Sequence, residues 1–164
     1  MQTSKVADLE RAVAAEPSNP DLRHLLAAEY AQVGEYARAQ REFREVLALN
    51  PAAHVARFQL GLLDLTLGEP GRAMEVWAPL ELLPAGAALK SFKRGLEALI
   101  RNEFETCARL LGEGIEANTQ NLPLNDDMRR ILARLPAGPT APQPAGAGAD
   151  ETRTDFSLYG SVKH

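Results

Sequence analysis

Apolar positions recur at helical spacing along most of the chain. Val6, Leu9, Ala12 and Val13 form one stripe within residues 3–16, which stops at Pro17. Asn19 followed by Pro20 is a helix-start signal: a capping side chain, then a proline whose missing N–H is not needed in the first turn. That helix is predicted to run to about Val33 and to break at Gly34, which takes a left-handed conformation at little cost. A third helix runs from Tyr36 to Leu49 and ends before Pro51. The same two-helix pattern returns at 54–67 with 70–83, and at 88–101 with 104–117. A last stripe, Leu124, Met128, Ile131, Leu132 and Leu135, places an amphipathic helix at 122–135. The pattern predicts about eight helices and no strand, an all-α fold.

These elements repeat with a fixed step of 34 residues, which carries Pro17 to Pro51, Gly34 to Gly68, Leu26 to Leu60 and Phe43 to Trp77. A second step carries Gly61 to Gly95, Ala73 to Cys107 and Trp77 to Leu111. A constant period without insertions means one two-helix unit used repeatedly. Small residues (Ala27, Gly61, Gly95, Ala39, Ala73, Cys107) let paired helices cross closely, and large ones (Tyr30, Phe43, Trp77, Leu111) fill the space between pairs. One pair cannot bury both of its faces, so neighbouring pairs are expected to stack.

Leu26, Ala27, Tyr30, Gly34, Tyr36, Ala39, Phe43, Leu47 and Pro51 together resemble a full tetratricopeptide (TPR) repeat. The resemblance continues through Leu60, Gly61, Gly68, Ala73, Trp77, Leu80 and Pro84, and more weakly through Gly95, Phe104, Cys107, Leu111 and Ile115. It implies a TPR α-solenoid, a right-handed superhelix of antiparallel helix pairs. The organisation read from it is a half-repeat at 3–17, repeats at 20–53, 54–87 and 88–121, and a capping helix at 122–135, together a TPR domain over 1–135. Departures from the pattern carry their own expectations. Pro79 lies within a predicted helix and should kink it around Glu75–Pro79. Gly112 and Gly114 lower helix propensity and should make the third repeat the softest. Arg129 stands at the small-residue position that follows Ala27, Gly61 and Gly95, so no further repeat is expected to pack there.

In the TPR family, partners bind a concave surface lined by each pair's first helix. Carried over residue by residue, the resemblance assigns that groove to His24, Ala28, Val55, Phe58, Gln59, Leu62, Leu89, Phe92, Lys93 and Leu96, with Leu65 and Leu99 read as packed side chains. Phe58 and Phe92 are expected to be exposed there. The surface is mainly apolar and suits an amphipathic helix or an extended segment with hydrophobic anchors. TPR co-chaperones hold acidic chaperone C-termini with a Lys/Asn/Arg carboxylate clamp. Its places here hold His24, Ala28, Gln59, Leu89 and Lys93, and only Lys93 keeps a suitable charge. The carboxylate-clamp peptide is therefore rejected as a partner.

Composition narrows the function further. Hydrophobic residues make up 45% of the 164 residues and aromatics 5%, a balance that suits close-packed helices. The net charge of -4, with no Lys/Arg cluster, argues against nucleic acid as a partner. No apolar run approaches the roughly 20 residues that span a bilayer. The charged residues of 1–16 are unlike a signal peptide, and a lone Cys107, read as a core residue, fits a reducing compartment; a cytoplasmic location is expected. His24, His54 and His164 form no metal-ligand set, and Asp126–Asp127 and Glu103/Glu105 read as helix-start charges. No cofactor motif and no active site is found, so a non-enzyme is expected.

After Leu135 the composition changes. Residues 136–149 form a Pro/Ala/Gly linker, and 150–164 form a polar tail expected to be disordered, with Phe156, Leu158 and Tyr159 as a candidate docking motif. Fourteen linker residues at about 3 Å each reach roughly 40 Å, enough for the tail to serve as a ligand of its own groove; the other expectation is that it docks on another protein. The leading reading is a protein-interaction adaptor that binds an apolar or amphipathic segment. The alternatives are a chaperone resembling the three-repeat TPR chaperones of bacterial secretion, and an assembly protein that self-associates through its tail.

Overall fold

The computed structural model describes residues 2–136, with side chains from residue 4. They form eight α-helices: α1 (Gln2–Ala15), α2 (Pro20–Gln32), α3 (Tyr36–Leu49), α4 (His54–Thr66), α5 (Pro70–Trp77), α6 (Ala88–Ile100), α7 (Phe104–Ala117) and α8 (Leu122–Arg134). One 3-10 helix, Ala78–Leu82, follows α5, and no strand occurs among the described residues. The linker and tail, with Phe156, Leu158 and Tyr159, lie outside the described residues. The chain divides into two compact units, one ending at Leu83 and the other beginning at Pro84.

In the first unit α1 packs on α2, α2 on α3, α3 on α4 and α4 on α5. Helix α2 starts as expected: the Asn19 side chain accepts from the backbone N–H groups of Asp21 and Leu22, at 3.1 and 3.2 Å, and Pro20 opens the first turn. Two arginines fix the entries to the repeats. Arg23 Nε donates to the Pro17 carbonyl at 2.7 Å, and 34 residues on Arg57 Nη2 donates to the Pro51 carbonyl at 3.2 Å. The core holds Leu26, Ala27, Tyr30, Phe43, Val46, Leu60 and Leu63. Trp77 lies against Gly61, and its indole N–H donates to the Phe58 carbonyl at 3.0 Å.

The turn between paired helices is built alike each time. Gly34, Gly68 and Asn102 stand one period apart, all with positive φ: 83°, 79° and 60°. The next residue bonds back across the helix end, Glu35 to Tyr30, Glu69 to Asp64 and Glu103 to Ala98, at 2.8, 2.9 and 2.9 Å. Asparagine is one of the few side chains that accepts this conformation, so the third turn keeps the geometry without glycine.

Pro79 does not kink α5; it ends it. The helix stops at Trp77, the Ala78 N–H bonds to Glu75, and the chain continues as the 3-10 helix Ala78–Leu82. A proline cannot donate to the residue four back, so the tighter winding takes over.

In the second unit α6 packs on α7, and α7 on α8. Gly95 admits Leu111: a Cβ at 95 would lie 2.8 Å from Leu111 Cδ2. A Cβ at Gly114 would collide with the Phe92 ring. Gly114 is therefore a contact residue, not only a weakness in helix propensity. Three asparagines join α7 to α8. Asn118 Nδ2 donates to the Asn121 carbonyl (2.6 Å) and to Asn125 Oδ1 (2.9 Å), and Asn125 Nδ2 donates to the Asn118 carbonyl (3.1 Å). The buried side of α8 is Leu124, Asn125, Met128 and Ile131, while Arg129 is exposed and bonded to Asp126.

Candidate partner-binding face

The ten assigned groove residues fall into two groups. Phe58, Leu62, Phe92 and Leu96 are fully buried and Lys93 is 6% exposed, which corrects their assignment to an open surface. Phe58 stacks on Trp77, with ring centroids 6.0 Å apart and 19° between the planes, a separation at which aromatic pairs attract. Phe92 covers Gly114, where the missing side chain leaves room for its ring. Lys93 directs its ammonium to Glu97 at 3.0 Å on the same helix. A buried lysine needs such a carboxylate, because an uncompensated charge out of water is costly. Leu99 is also buried, and Leu65 is half-buried.

His24, Ala28, Val55, Gln59 and Leu89 remain partly exposed. Leu89 belongs to the second unit. The other four stand on two helices of the first unit, and one contact brings their faces together: His24 Nε2 on α2 lies 2.5 Å from Gln59 Oε1 on α4. Ala28 is one turn beyond His24, and Val55 one turn before Gln59. The His24 ring also meets Phe43 edge to face at 5.7 Å, so the imidazole is held from below by the core. Beside it Leu25 is 57% exposed. The period explains this exposure. Leu25 shares its register with Gln59, which meets His24 of the helix pair before it, and no earlier pair precedes α2 among the described residues.

Helix α1 packs on α2. Lys5 occupies the register filled by Ala39, Ala73 and Cys107 in α3, α5 and α7, where a small side chain admits the partner helix. Its ammonium reaches back to the buried Glu29 carboxylate on α2, at 2.7 Å. Lys5 departs from the small residues of that register. It was legible as a break in the period.

The face offers apolar surface, the His24 imidazole and the Gln59 amide, which bond to each other. Cys107 is buried, and burial pushes its thiol up to about 11, which leaves it protonated. No group of three or more His, Cys, Asp or Glu side chains with metal-binding proximity occurs among the described residues. No helix among them is long and apolar enough to cross a membrane.

Helix pairs at a 34-residue period, with small-to-large contacts at Gly61–Trp77 and Gly95–Leu111, define an all-helical, tetratricopeptide-like repeat fold. Solved structures bear out the fold. MamA is similar at a TM-score of 0.58 and 17% sequence identity, over 71% of this chain and 68% of that one. A MamA RS-1 double mutant is similar at the same score and identity, over 79% and 75% of the two chains. MamA from Desulfovibrio magneticus RS-1, from residue 41 to its end, aligns over 80% of each chain, again at 0.58 and 17%. No protein-family model matches the chain, and no curated protein matches it.

Proposed function

We propose that this protein is a non-catalytic protein-interaction module that holds an apolar or amphipathic segment of a partner protein on the α2–α4 face. The observation that carries the reading is the His24–Gln59 contact at 2.5 Å, which joins two partly exposed helix faces beside the exposed Leu25. Ala28 and Val55 are small or branched apolar groups that a helical ligand's side chains pack against, while His24 and Gln59 supply polar contacts that orient it. The TPR-like fold supports a binding role by analogy, since such repeats present surfaces rather than active sites.

Affinity capture from the source cell tests the reading. Ala28→Arg and Leu25→Glu add charge at solvent-facing positions and should abolish capture without loss of helicity. Met74→Glu, on the 40% exposed Met74 of α5, serves as a control and should leave capture intact. Undiminished capture by both face variants would remove the α2–α4 face from the proposal. Glutamate at Phe58 or Phe92 would not be informative, since a buried charge there unfolds the unit it sits in.

A further inference from the structure

A second polar cluster in the first unit follows the repeat but changes chemistry with each step. Tyr30, Asp64 and Ala98 share one register, Glu10, Arg44 and Ala78 a second, and Arg38, Arg72 and Thr106 a third. In the first set Tyr30 Oη donates to Glu10 Oε1 at 2.5 Å, and the Arg38 guanidinium lies 5.6 Å from the Tyr30 ring centroid. The cluster is complete: a hydroxyl, an acceptor and a cation. In the second set a carboxylate replaces the phenol.

That carboxylate is poorly served. Asp64 is 1% exposed, on the side of α4 that faces α3. Gln40 Nε2 of α3 donates to Asp64 Oδ1 at 2.6 Å, but Asp64 Oδ2 is buried without a hydrogen-bond partner. Arg72 of α5, which shares the register of Arg38, is ion-paired with Glu69 at 2.8 Å. Removal from water opposes the charged form most; the Gln40 bond, Arg44 of α3 and Arg72 favour it, and Glu69 opposes it. A buried charge with one unsatisfied oxygen is unfavourable; a proton on Oδ2 removes the charge and keeps the Gln40 bond.

We propose that Asp64 is a proton-operated clasp between α3 and α4: with the carboxyl protonated the interface is closed and dry, and with it ionised the interface opens more readily to let water reach Oδ2. The clasp acts within the first unit and does not depend on which partner the α2–α4 face holds. Acidification tightens the junction between the first and second helix pairs, and alkaline conditions loosen it. The period also shows where this control ends, because Ala98, Ala78 and Thr106 leave nothing to titrate at the third position.

Two measurements on the full chain test this. The Asp64 carboxyl carbon, followed by NMR against pH, should titrate with a midpoint above the roughly 4 of an ordinary aspartate; a midpoint at or below that value overturns the clasp. Amide exchange in α3 and α4, corrected for its intrinsic pH dependence, should slow as the pH falls through the same midpoint in the wild type. It should stay level in Asp64→Asn, whose side chain is neutral throughout. Equal pH dependence in the two proteins overturns the proposal. If Asp64→Asn does not fold, the wild-type titration decides alone.

Discussion

The indole of Trp77 fills the space that a side chain at Gly61 would occupy, so the two residues form a single close contact between α4 and α5. The contact is the second repeat's version of Ala27 with Phe43, both fully buried, with the small partner made smaller to admit the larger ring. Helix propensity alone favours alanine over glycine by about 1 kcal/mol. Here overpacking wins, because the atom in the way is a rigid ring locked by its bond to the Phe58 carbonyl. Gly61→Ala should lower stability by about 1–3 kcal/mol. Trp77 is the only tryptophan, so its fluorescence in a denaturant titration reports this directly.

Gly112 and Gly114 are two residues apart on α7 and should respond in opposite directions. Nothing lies within 4 Å of a Cβ built at Gly112, so Gly112→Ala should gain roughly 0.5–1 kcal/mol from propensity and a less flexible unfolded chain. At Gly114 the Phe92 ring stands in the way, and Gly114→Ala should cost about 1–3 kcal/mol. Urea midpoints for the two variants and the wild type give the comparison.

Asp127 makes the second unit sensitive to pH. Its side chain is 19% exposed at the edge of the α8 contact, and burial pushes its carboxyl up to about 6 despite the Arg130 guanidinium 2.9 Å away. A carboxyl that holds its proton more tightly when folded stabilises the fold in its protonated form. The contribution is fully present below the ordinary aspartate range and is lost as the pH rises through about 6. Discounted for solvent screening, it is worth roughly 1–2 kcal/mol. Thermal midpoints of Asp127→Asn and wild type should diverge as pH rises from about 4 to about 7, with the asparagine variant the more stable.

The Cys107 thiol, pushed up to about 11 inside the α6–α7 pair, should resist labelling in the native protein. A thiol reagent at neutral pH should react only as fast as the second unit opens. Cys107→Ala should be mild, below about 1.5 kcal/mol, because Ala39 and Ala73 serve at the same register. Immediate stoichiometric labelling would contradict the packing described.

The periodic part of this fold is legible in the sequence because each repeat solves the same problem with the same residue sizes. Pro17 and Pro51, Gly34 and Gly68, and Ala39 and Ala73 mark helix ends and contacts that the structure places where the spacing predicts. Asn102 keeps the third turn, though a search for glycine alone passes over it. The binding face was legible only in part. Helical register places Phe58 and Phe92 on the same helix face as His24, but whether a ring stands outward or folds onto a neighbour depends on the space beside it. Gly114 leaves that space for Phe92, and Trp77 offers Phe58 a ring to stack on. The Asp64 cluster needs three helices at once, and its residues only stand out when Tyr30, Glu10 and Arg38 are set one period away.

A partner held on the α2–α4 face should shield the backbone of both helices. Hydrogen–deuterium exchange of the full chain, alone and with a partner recovered by capture, tests it most directly. Added protection should concentrate in Pro20–Gln32 and His54–Thr66, with α5 and the Ala78–Leu82 turn unchanged. Protection confined to α5, that turn or α8, with α2 and α4 exchanging as in the free protein, would contradict it.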